Sequence, residues 1–505
     1  MRDRLGAQGV YRAARAFGFD LTSYTIVVLA QPAATLLQEI GLFGTICELI
    51  PWDRDYPDRT RRLDLLRRVL DGTFYDVLPY EFHQERTAGD EYIPLRKRRP
   101  SVRYGLPRIV VEDSVALLFS EGHFPALDST DREVRSAASR LAKMSRLNAV
   151  MTEAALRGSV GSVAILMRVL RGRVFLDVLE SLYLIPEWES DAPDTLSCVT
   201  ERYKVSGIAL AAQGYRIADA DATYWFARQW DAEWETWFEP AEVGCVAKPV
   251  IDRERSVRHG LGFVPLTWIK NLPGGAGPDG ACTFRASIET AVEIDYQLSQ
   301  AGRGLKYSSD PTLLIREPAG LDTTMVRGAA NALVLSEKGD AKLLEIGGTA
   351  SQAVIDYVRT LRELALESVH GNRVDASRLT TPASGRALEL MNQGLLWLAD
   401  NLRVSYGEQG LLAVVRMMLR AAAIYKLEVD GQKLPPLPEC APLSLRWPAW
   451  YSPDSLDRQR DAATVTGLVS AGQLSRETGL LVLAPSYDIE DVPAELVRIN
   501  AERTA

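Results

Sequence analysis

The chain has 505 residues, of which 47% are hydrophobic and 25% charged, and its formal net charge is -8. That apolar content exceeds what a single core holds, since cores split beyond ~250–300 residues. The acidic balance argues against a protein that coats nucleic acid, which would carry a basic excess, but not against one that only lets DNA slide past.

In chain order, Tyr24 to Ala30 is the most apolar stretch, and it stops at Gln31-Pro32. That is short of the ~20 residues of a membrane-spanning helix. The start, Met1-Arg2-Asp3-Arg4, leads into Arg-containing helical sequence rather than an apolar signal core. The expectation is a chain that stays in the cell that made it, with no membrane partner. Residues 1–125 read as helices and loops. Asp58 to Leu70 sets Leu63, Leu65, Leu66 and Leu70 among five arginines, an amphipathic helix with an arginine face. A second apolar run, Asp113 to Phe119, closes this region.

Residues 131–157 predict one helix, with Leu141, Met144, Leu147, Val150 and Met151 at helical spacing. From Ser162 to Trp237 the period shortens. Val163 to Met167, Val174 to Val178 and Tyr224 to Ala227 are rich in β-branched or aromatic residues and predict an antiparallel sheet. Residues 260–282 read as a glycine- and proline-rich connector. Phe284, Ile288, Ala291 and Leu298 then mark one face of a helix that fades at Gly302 and Gly304. A β-like insert follows, with strands near Thr312–Ile315, Ala332–Leu335 and Lys342–Ile346 and a turn at Glu337–Asp340.

Thr349-Ala350-Ser351-Gln352 fits a capping box that opens a second helix. Val354, Val358, Leu361, Ala365 and Val369 form its apolar face, Asp356, Arg359, Glu363 and Glu367 the other, and Gly371 supplies its stop. A polar loop, Asn372 to Ala383, leads to Ser384, which caps a long helix carrying Leu388, Met391, Leu395, Leu398 and Leu402 on one stripe. That helix predicts an extent to about Leu427, with Gly407 and Gly410 as places to bend. Beyond it come a strand-like Leu443 to Trp447 and helical segments from Pro453 onward.

Several chemistries are missing. Gly-Lys does not occur, so there is no P-loop, and neither HExxH nor GxSxG is found. The five cysteines (Cys47, Cys198, Cys245, Cys282, Cys440) are scattered and read as reduced thiols of a cytoplasm-like compartment. With four histidines and no CxxC, no metal site and no cofactor are expected. The expectation is a protein that is not an enzyme. The basic run Arg96–Arg99 reads as a solvated loop rather than a DNA contact. Trp225, Trp230, Trp234 and Trp237 read as core or interface packing rather than a planar-ligand site. Gly274–Gly280 reads as a flexible connector rather than a phosphate cradle, and His259 and His370 as surface or structural residues.

Short motifs then align in order. Gly262-Phe263-Val264-Pro265 with Asn271, Ile294-Asp295-Tyr296 with Ser299, Ser384 to Leu388, and Gly472-Gln473-Leu474-Ser475 with Thr478 stand in sequence over about 260–500. Val110 to Asp113 up to Leu118-Phe119 adds an N-terminal match. Together with the order helix, β insert, helix, polar loop, long helix, these resemble the portal proteins of tailed bacteriophages, the head-to-tail connector rings.

The resemblance implies an α+β fold of portal-like architecture. It has a mixed α/β wing (1–282), a two-helix stem (283–303 and 349–371), a small β-containing clip (304–348), a tunnel loop (372–383), a long wing helix (384–427) and a helical C-terminal crown (428–505). It implies a virion protein at a capsid vertex, assembled in the host cytoplasm. There it would form a homo-oligomeric ring, usually a dodecamer, through which double-stranded DNA passes during viral genome packaging and ejection. The terminase large subunit, a head-to-tail adaptor and the major capsid or scaffolding protein would be its partners. The DNA-facing loop would be Asn372, Arg373, Val374, Asp375, Ala376, Ser377, Arg378, Leu379, Thr380 and Thr381, and the channel-lining stem residues Asp356, Arg359, Glu363 and Glu367. Arg359 and Arg362 against Asp356, Glu363 and Glu367 leave the second stem helix at a formal charge of about -1, and Arg373 and Arg378 against Asp375 leave the loop at about +1. Two rival classes are another phage structural component, such as a minor head protein or adaptor, and a cytoplasmic enzyme with unrecognised motifs.

Overall fold

The computed structural model describes residues 41–245, 248–309, 312–318, 335–344, 349–371, 389–429, 432–434, 442–451, 455–487, 489 and 492–504. Helices α1 (Leu42–Leu49) and α2 (Asp58–Leu70) open the described chain. In α2, Leu63 and Leu66 are buried as the periodicity requires, but the arginine face is not simply solvated. Arg59 and Arg62 both reach Asp279, and Arg67 reaches Glu180. Helix α3 (Leu106–Phe119) begins after Gly105, whose φ of 67° suits glycine, and carries Pro107 in its first turn, where no N–H is missed.

The single helix expected over 131–157 is two, α4 (Arg132–Met144) and α5 (Leu147–Gly158). Asp131 caps the first through the amides of Glu133 and Val134. The break has a cause in the sequence. Val134, Ala138 and Leu141 keep one helical phase, and Leu147, Met151 and Ala154 keep another, one residue out of step. A left-handed Arg146 (φ 52°) between the helices lets both sets face the same core.

Two sheets follow. The first is three-stranded, with β1 (Ser162–Leu170) between β2 (Arg173–Glu180) and β8 (Leu266–Lys270). Arg171 and Gly172, at φ 52° and 74°, make the two-residue turn that closes the β1–β2 hairpin. The second sheet is antiparallel, in the order β7 (Ile251–Arg258), β6 (Trp234–Phe238), β5 (Thr223–Trp230), β4 (Leu196–Ser206), β3 (Leu184–Trp188). A short helix, α6 (Gly207–Ala212), sits between β4 and β5. Ala164, Leu166, Leu184, Val199 and Trp230 join the two sheets in one buried cluster. The tryptophans divide: Trp230 is fully buried, Trp237 packs edge-on to Phe226, and Trp234 stays exposed.

The segment 260–282 is not a loose connector. It contributes β8 and then folds back, with Leu272 bridged to Ala281. From it rises α7 (Ile288–Ser309), which continues through Gly302 and Gly304 rather than fading there. Among the described residues the β insert holds a pair, β9 (Thr312–Pro318) and β10 (Leu335–Leu344), antiparallel with Thr312 opposite Leu344; Ala332 to Val334 of the expected middle strand lie outside them. In place of the turn expected at Glu337–Asp340, β10 continues with a register shift against β9, whose Arg316 lies opposite Asp340 and Pro318 opposite Leu335. Helix α8 (Thr349–Ser368) follows, then α9 (Gln393–Leu402), a π-helical stretch (Arg403–Leu411) and α10 (Leu412–Ile424). The predicted bend at Gly407 and Gly410 is this π segment. A side chain at Gly407 would strike Trp447 at 2.4 Å, and one at Gly410 would strike Ile269 at 2.7 Å. Ser444–Arg446 then pairs with Ala126–Asp128, and α11 (Ser455–Ser470), α12 (Arg476–Leu483) and α13 (Val492–Thr504) end the chain. The largest core lies among α2 to α5, α9 to α10 and β1.

Candidate functional site

Three levels build the helix pair α7–α8 into the molecule. The first is the root of α7. Asn271, 1% exposed, donates from Nδ2 to the carbonyl of Ala281 (2.7 Å) and to Thr283 Oγ1 (2.9 Å), and accepts from the Tyr406 hydroxyl at Oδ1 (3.0 Å). The amide so satisfies both its donor and acceptor sides, as burial demands. Beside it Asp279 accepts from Arg59 Nε (2.9 Å), Arg59 Nη2 (2.8 Å), Arg62 Nη2 (2.8 Å) and Ser162 Oγ (2.6 Å). Burial pushes this carboxyl up, but the hydrogen bonds from Arg59 and Ser162 and the two arginine charges outweigh it and hold it below the usual range. The glycines around it are needed for close approach: a Cβ on Gly280 would stand 2.6 Å from the Asn271 amide nitrogen.

The second level is the middle of α7. Asp295 accepts from the Tyr75 hydroxyl (2.8 Å) and the Tyr104 amide (2.7 Å). The Tyr296 hydroxyl donates to the Arg98 carbonyl (2.8 Å), and Ser299 Oγ accepts from the Val102 amide (3.0 Å). The motif Ile294-Asp295-Tyr296 with Ser299 is therefore a row of buried anchors that ties segment 98–104 along the helix. Burial lifts the Asp295 carboxyl to about 6, against the opposing hydrogen bonds from Tyr104 and Tyr75 and the nearby Arg103. This strapping also corrects the reading of the basic run. Arg96 and Lys97 are exposed, but Arg98 is 2% exposed and donates to the Ile93 carbonyl (3.0 Å), and Arg99 is turned toward the Leu78 carbonyl.

The third level is α8. The pairing of Thr312 with Leu344 brings the end of α7 beside the start of α8, so the two helices run antiparallel. Ala291 and Ile294 of α7, Ala365 and Leu366 of α8 with Val369 just past its end, and Leu106 and Val110 of α3 share one apolar cluster. On α8 the opposite face is exposed and carries Asp356, Arg359, Glu363 and Glu367. Their spacing of three and four residues places all four on one stripe over ~17 Å. Arg359 Nη1 lies 3.4 Å from Asp356 Oδ1, and Gln352 donates to the same carboxylate at 3.1 Å. The stripe is thus a partly self-paired surface of mixed sign.

α8 ends one residue earlier than the expected glycine stop. His370 takes the left-handed position (φ 55°), and the Gly371 amide donates to the Leu366 carbonyl (2.8 Å). Gly371 is buried, and a Cβ there would meet Val110 at 3.2 Å. The loop residues Asn372 to Thr381, with Arg373, Val374, Asp375, Ala376, Ser377, Arg378, Leu379 and Thr380 between them, lie outside the described residues. The His370 ring sits 4.7 Å from the Trp397 ring of α9, edge to face. His370, read as a lone residue, is therefore a packing partner across the loop.

Local patterns did not reveal two features. The Arg59–Asp279 tie joins residues 220 apart. Arg403 lies 3.1 Å from the Trp450 ring centroid and 4.6 Å from that of Trp447, holding the strap that leads to α11. Burial lowers the Arg403 guanidinium to about 10. Among the described residues no group of three or more His, Cys, Asp or Glu is placed to hold a metal ion, and no helix is long and apolar enough to cross a membrane.

No family model and no curated protein matches the chain. Solved structures with some likeness include the neck of an empty GTA particle computed with C6 symmetry, at a TM-score of 0.37 and 11% identity, covering 75% of this chain and 88% of that one. The neck of a native GTA particle computed with C12 symmetry has a TM-score of 0.36 and 14% identity, covering 75% and 90%. A chain of the virion of a native gene transfer agent (GTA) particle has a TM-score of 0.32 and 12% identity, covering 75% and 88%.

Proposed function

We propose that this chain is the portal subunit of a tailed bacteriophage: a non-enzymatic protein that closes into a ring, twelve-membered by resemblance to the portal family, and passes double-stranded DNA through the centre. The observation that carries the reading is the helix pair α7–α8. One end of the pair bears a β insert, one side packs on α3, and the free side of α8 presents Asp356, Arg359, Glu363 and Glu367. A conduit has to touch phosphates without holding them. Each fixed cationic contact releases counterions and tightens binding steeply, so a lining of many arginines would stall the duplex. The stripe on α8 avoids this, because its acids outnumber its bases and Arg359 is already turned toward Asp356. The loop after His370 supplies Arg373 and Arg378 as weak, non-specific, salt-sensitive contacts repeated around the ring.

In this reading β9 and β10 face the terminase large subunit and later the head-to-tail adaptor, and α11 to α13 lie toward the capsid interior. Negative-stain microscopy of the purified full-length chain tests it first: a ring with a central channel is expected. A monomer or compact dimer without a channel across several salt and pH conditions would overturn it. Arg373→Glu with Arg378→Glu is expected to abolish DNA packaging or retention and to leave ring assembly intact. Unchanged packaging would remove the loop from the DNA path.

A further inference from the structure

The long helix leaves a row of large apolar side chains in water. Trp397 and Val404, 57% and 50% exposed, stand seven residues apart on one face of the long helix, ~10 Å along it, and Leu390, 61% exposed, lies in the helical turn just before Asn392, where the long helix begins. Met391, beside them, is 51% exposed. Single exposed apolar residues are ordinary, but a continuous row containing an indole marks a surface meant to be covered. The same helix cannot cover it by turning inward, because Leu395, Leu398, Ala399 and Leu402 on its other side are buried in the main core. The row is bordered by acids: Glu389, Asp400 and, in the π segment, Glu408.

A groove of complementary character lies elsewhere on the same core. A hollow of about 300 Å³ has Leu63, Leu70, Leu156 and Leu182 as its apolar lining. Arg67, Arg108 and Arg157 stand around it, against Asp71 and Glu180. At Leu156 it meets a second, shallower hollow lined by Phe119 and Arg146. Taken together the two carry four arginines against three acids, Glu153 being the third. Arg108 pairs with Glu112 of its own helix (2.7 Å), while Arg157 pairs with Glu153 (2.6 Å) and also reaches Glu180 (3.8 Å) and the Val178 carbonyl (3.4 Å) on β2. An exposed pair within one helix is weak, so Arg108 can turn to an incoming carboxylate at little cost.

We propose that the Leu390–Trp397–Val404 row of one subunit seats in the arginine-edged groove of a second copy of this chain, with the Trp397 indole filling the hollow beside Leu156. This rests on the ring reading above and deepens it. A ridge and a different, matching groove on one chain make a heterologous contact, which is the kind that closes into a ring by rotation. The partners are matched in both terms that decide such a contact: a tryptophan anchor enters an apolar hollow, and acids beside the ridge meet the arginines of the groove.

The test is site-specific photo-crosslinking of the assembled full-length chain, with p-benzoylphenylalanine in place of Trp397, followed by peptide mapping. Adducts between copies are expected on peptides containing Leu70 or Leu156. A reciprocal probe in place of Arg157, a surface position that does not threaten folding, should capture the α9 peptide. Arg108→Glu with Arg157→Glu is expected to lower the assembled fraction at least tenfold at physiological salt, with the monomer's far-UV circular dichroism unchanged. Rings whose adducts from both probes map to other surfaces would overturn this proposal and leave the ring reading standing. Failure of the unmodified chain to form any ring would overturn the ring reading, and this contact with it.

Discussion

Replacing Asp279 by Ala isolates the tie at the root of α7. The side chain is 1% exposed and receives four hydrogen bonds, two of them from Arg59, whose own side chain is 19% exposed. Removing one partner of a buried pair leaves the other charge uncompensated, at a cost of ~3–5 kcal/mol. Arg62 is 48% exposed and recovers its hydration, so it adds little. Arg59 retains the Leu184 carbonyl (2.8 Å) and some water, which puts the expected loss at the lower end, ~3 kcal/mol. Urea unfolding followed by tryptophan fluorescence reports it, since Arg59 lies 5.7 Å from the Trp268 ring. The pH dependence has a definite sign. The folded carboxyl is held below its unfolded value of ~3.9, so its contribution is present above that pH and is lost as pH falls through the folded value. The difference between wild type and Asp279→Ala should therefore shrink in acid. A double-mutant cycle with Arg59→Ala should return a coupling of at least ~1.5 kcal/mol. A loss below ~1 kcal/mol at neutral pH, or a coupling near zero, would refute the tie as an energetic element.

Asp295 gives the opposite slope. Its folded carboxyl is lifted to about 6, so the folded state binds the proton more tightly than the unfolded chain, and stability falls as pH rises between ~4 and ~6. Asp295→Asn can keep both hydrogen bonds, because its amide can donate to the Tyr75 oxygen while its carbonyl accepts from Tyr104. It should flatten that slope and gain up to ~3 kcal/mol at neutral pH, read as Tm against pH; a wild-type slope in the variant would refute the assignment. Gly280→Ala should lose ~1–3 kcal/mol, because backbone atoms of Asn271 and Leu272 stand 2.6 and 2.7 Å from the new carbon. Gly277→Ala, which meets nothing but sits at φ 62°, should lose only ~1 kcal/mol, and equal losses at the two sites would discount the close approach.

Patterns within a few residues were readable from the sequence, and contacts across the chain were not. The amphipathic spacing of Asp58–Leu70 located α2 to the residue, and Val354 to Val369 separated the seam of α8 from its charged stripe. A one-residue phase slip between Leu141 and Leu147 was invisible to a window that counted apolar residues without tracking phase. The polar run Glu337–Asp340 looked like a turn because composition dominates a short window, whereas in the fold it is an irregularity of β10, where the register against β9 shifts between Leu335 and Asp340. Gly274–Gly280 looked like a flexible connector because glycine signals freedom, and nothing near Asp279 in the sequence announces Arg59. The polar members of the short motifs proved informative in a different way: Asn271, Asp295 and Ser299 are buried anchors of α7 rather than surface chemistry.

The π-helical stretch between α9 and α10 concentrates the long helix's ties to the rest of the fold. Within nine residues, Arg403 is gripped by Trp447 and Trp450, Ser405 and Tyr406 hydrogen-bond Asn271, and Gly407 and Gly410 lie flush against Trp447 and Ile269. Ser405 and Tyr406 tie this stretch to Asn271, which in turn holds Thr283 at the foot of α7, and Arg403 ties it to the C-terminal strap. The irregular turn is thus a joint where the long helix, the strap and the base of the helix pair meet.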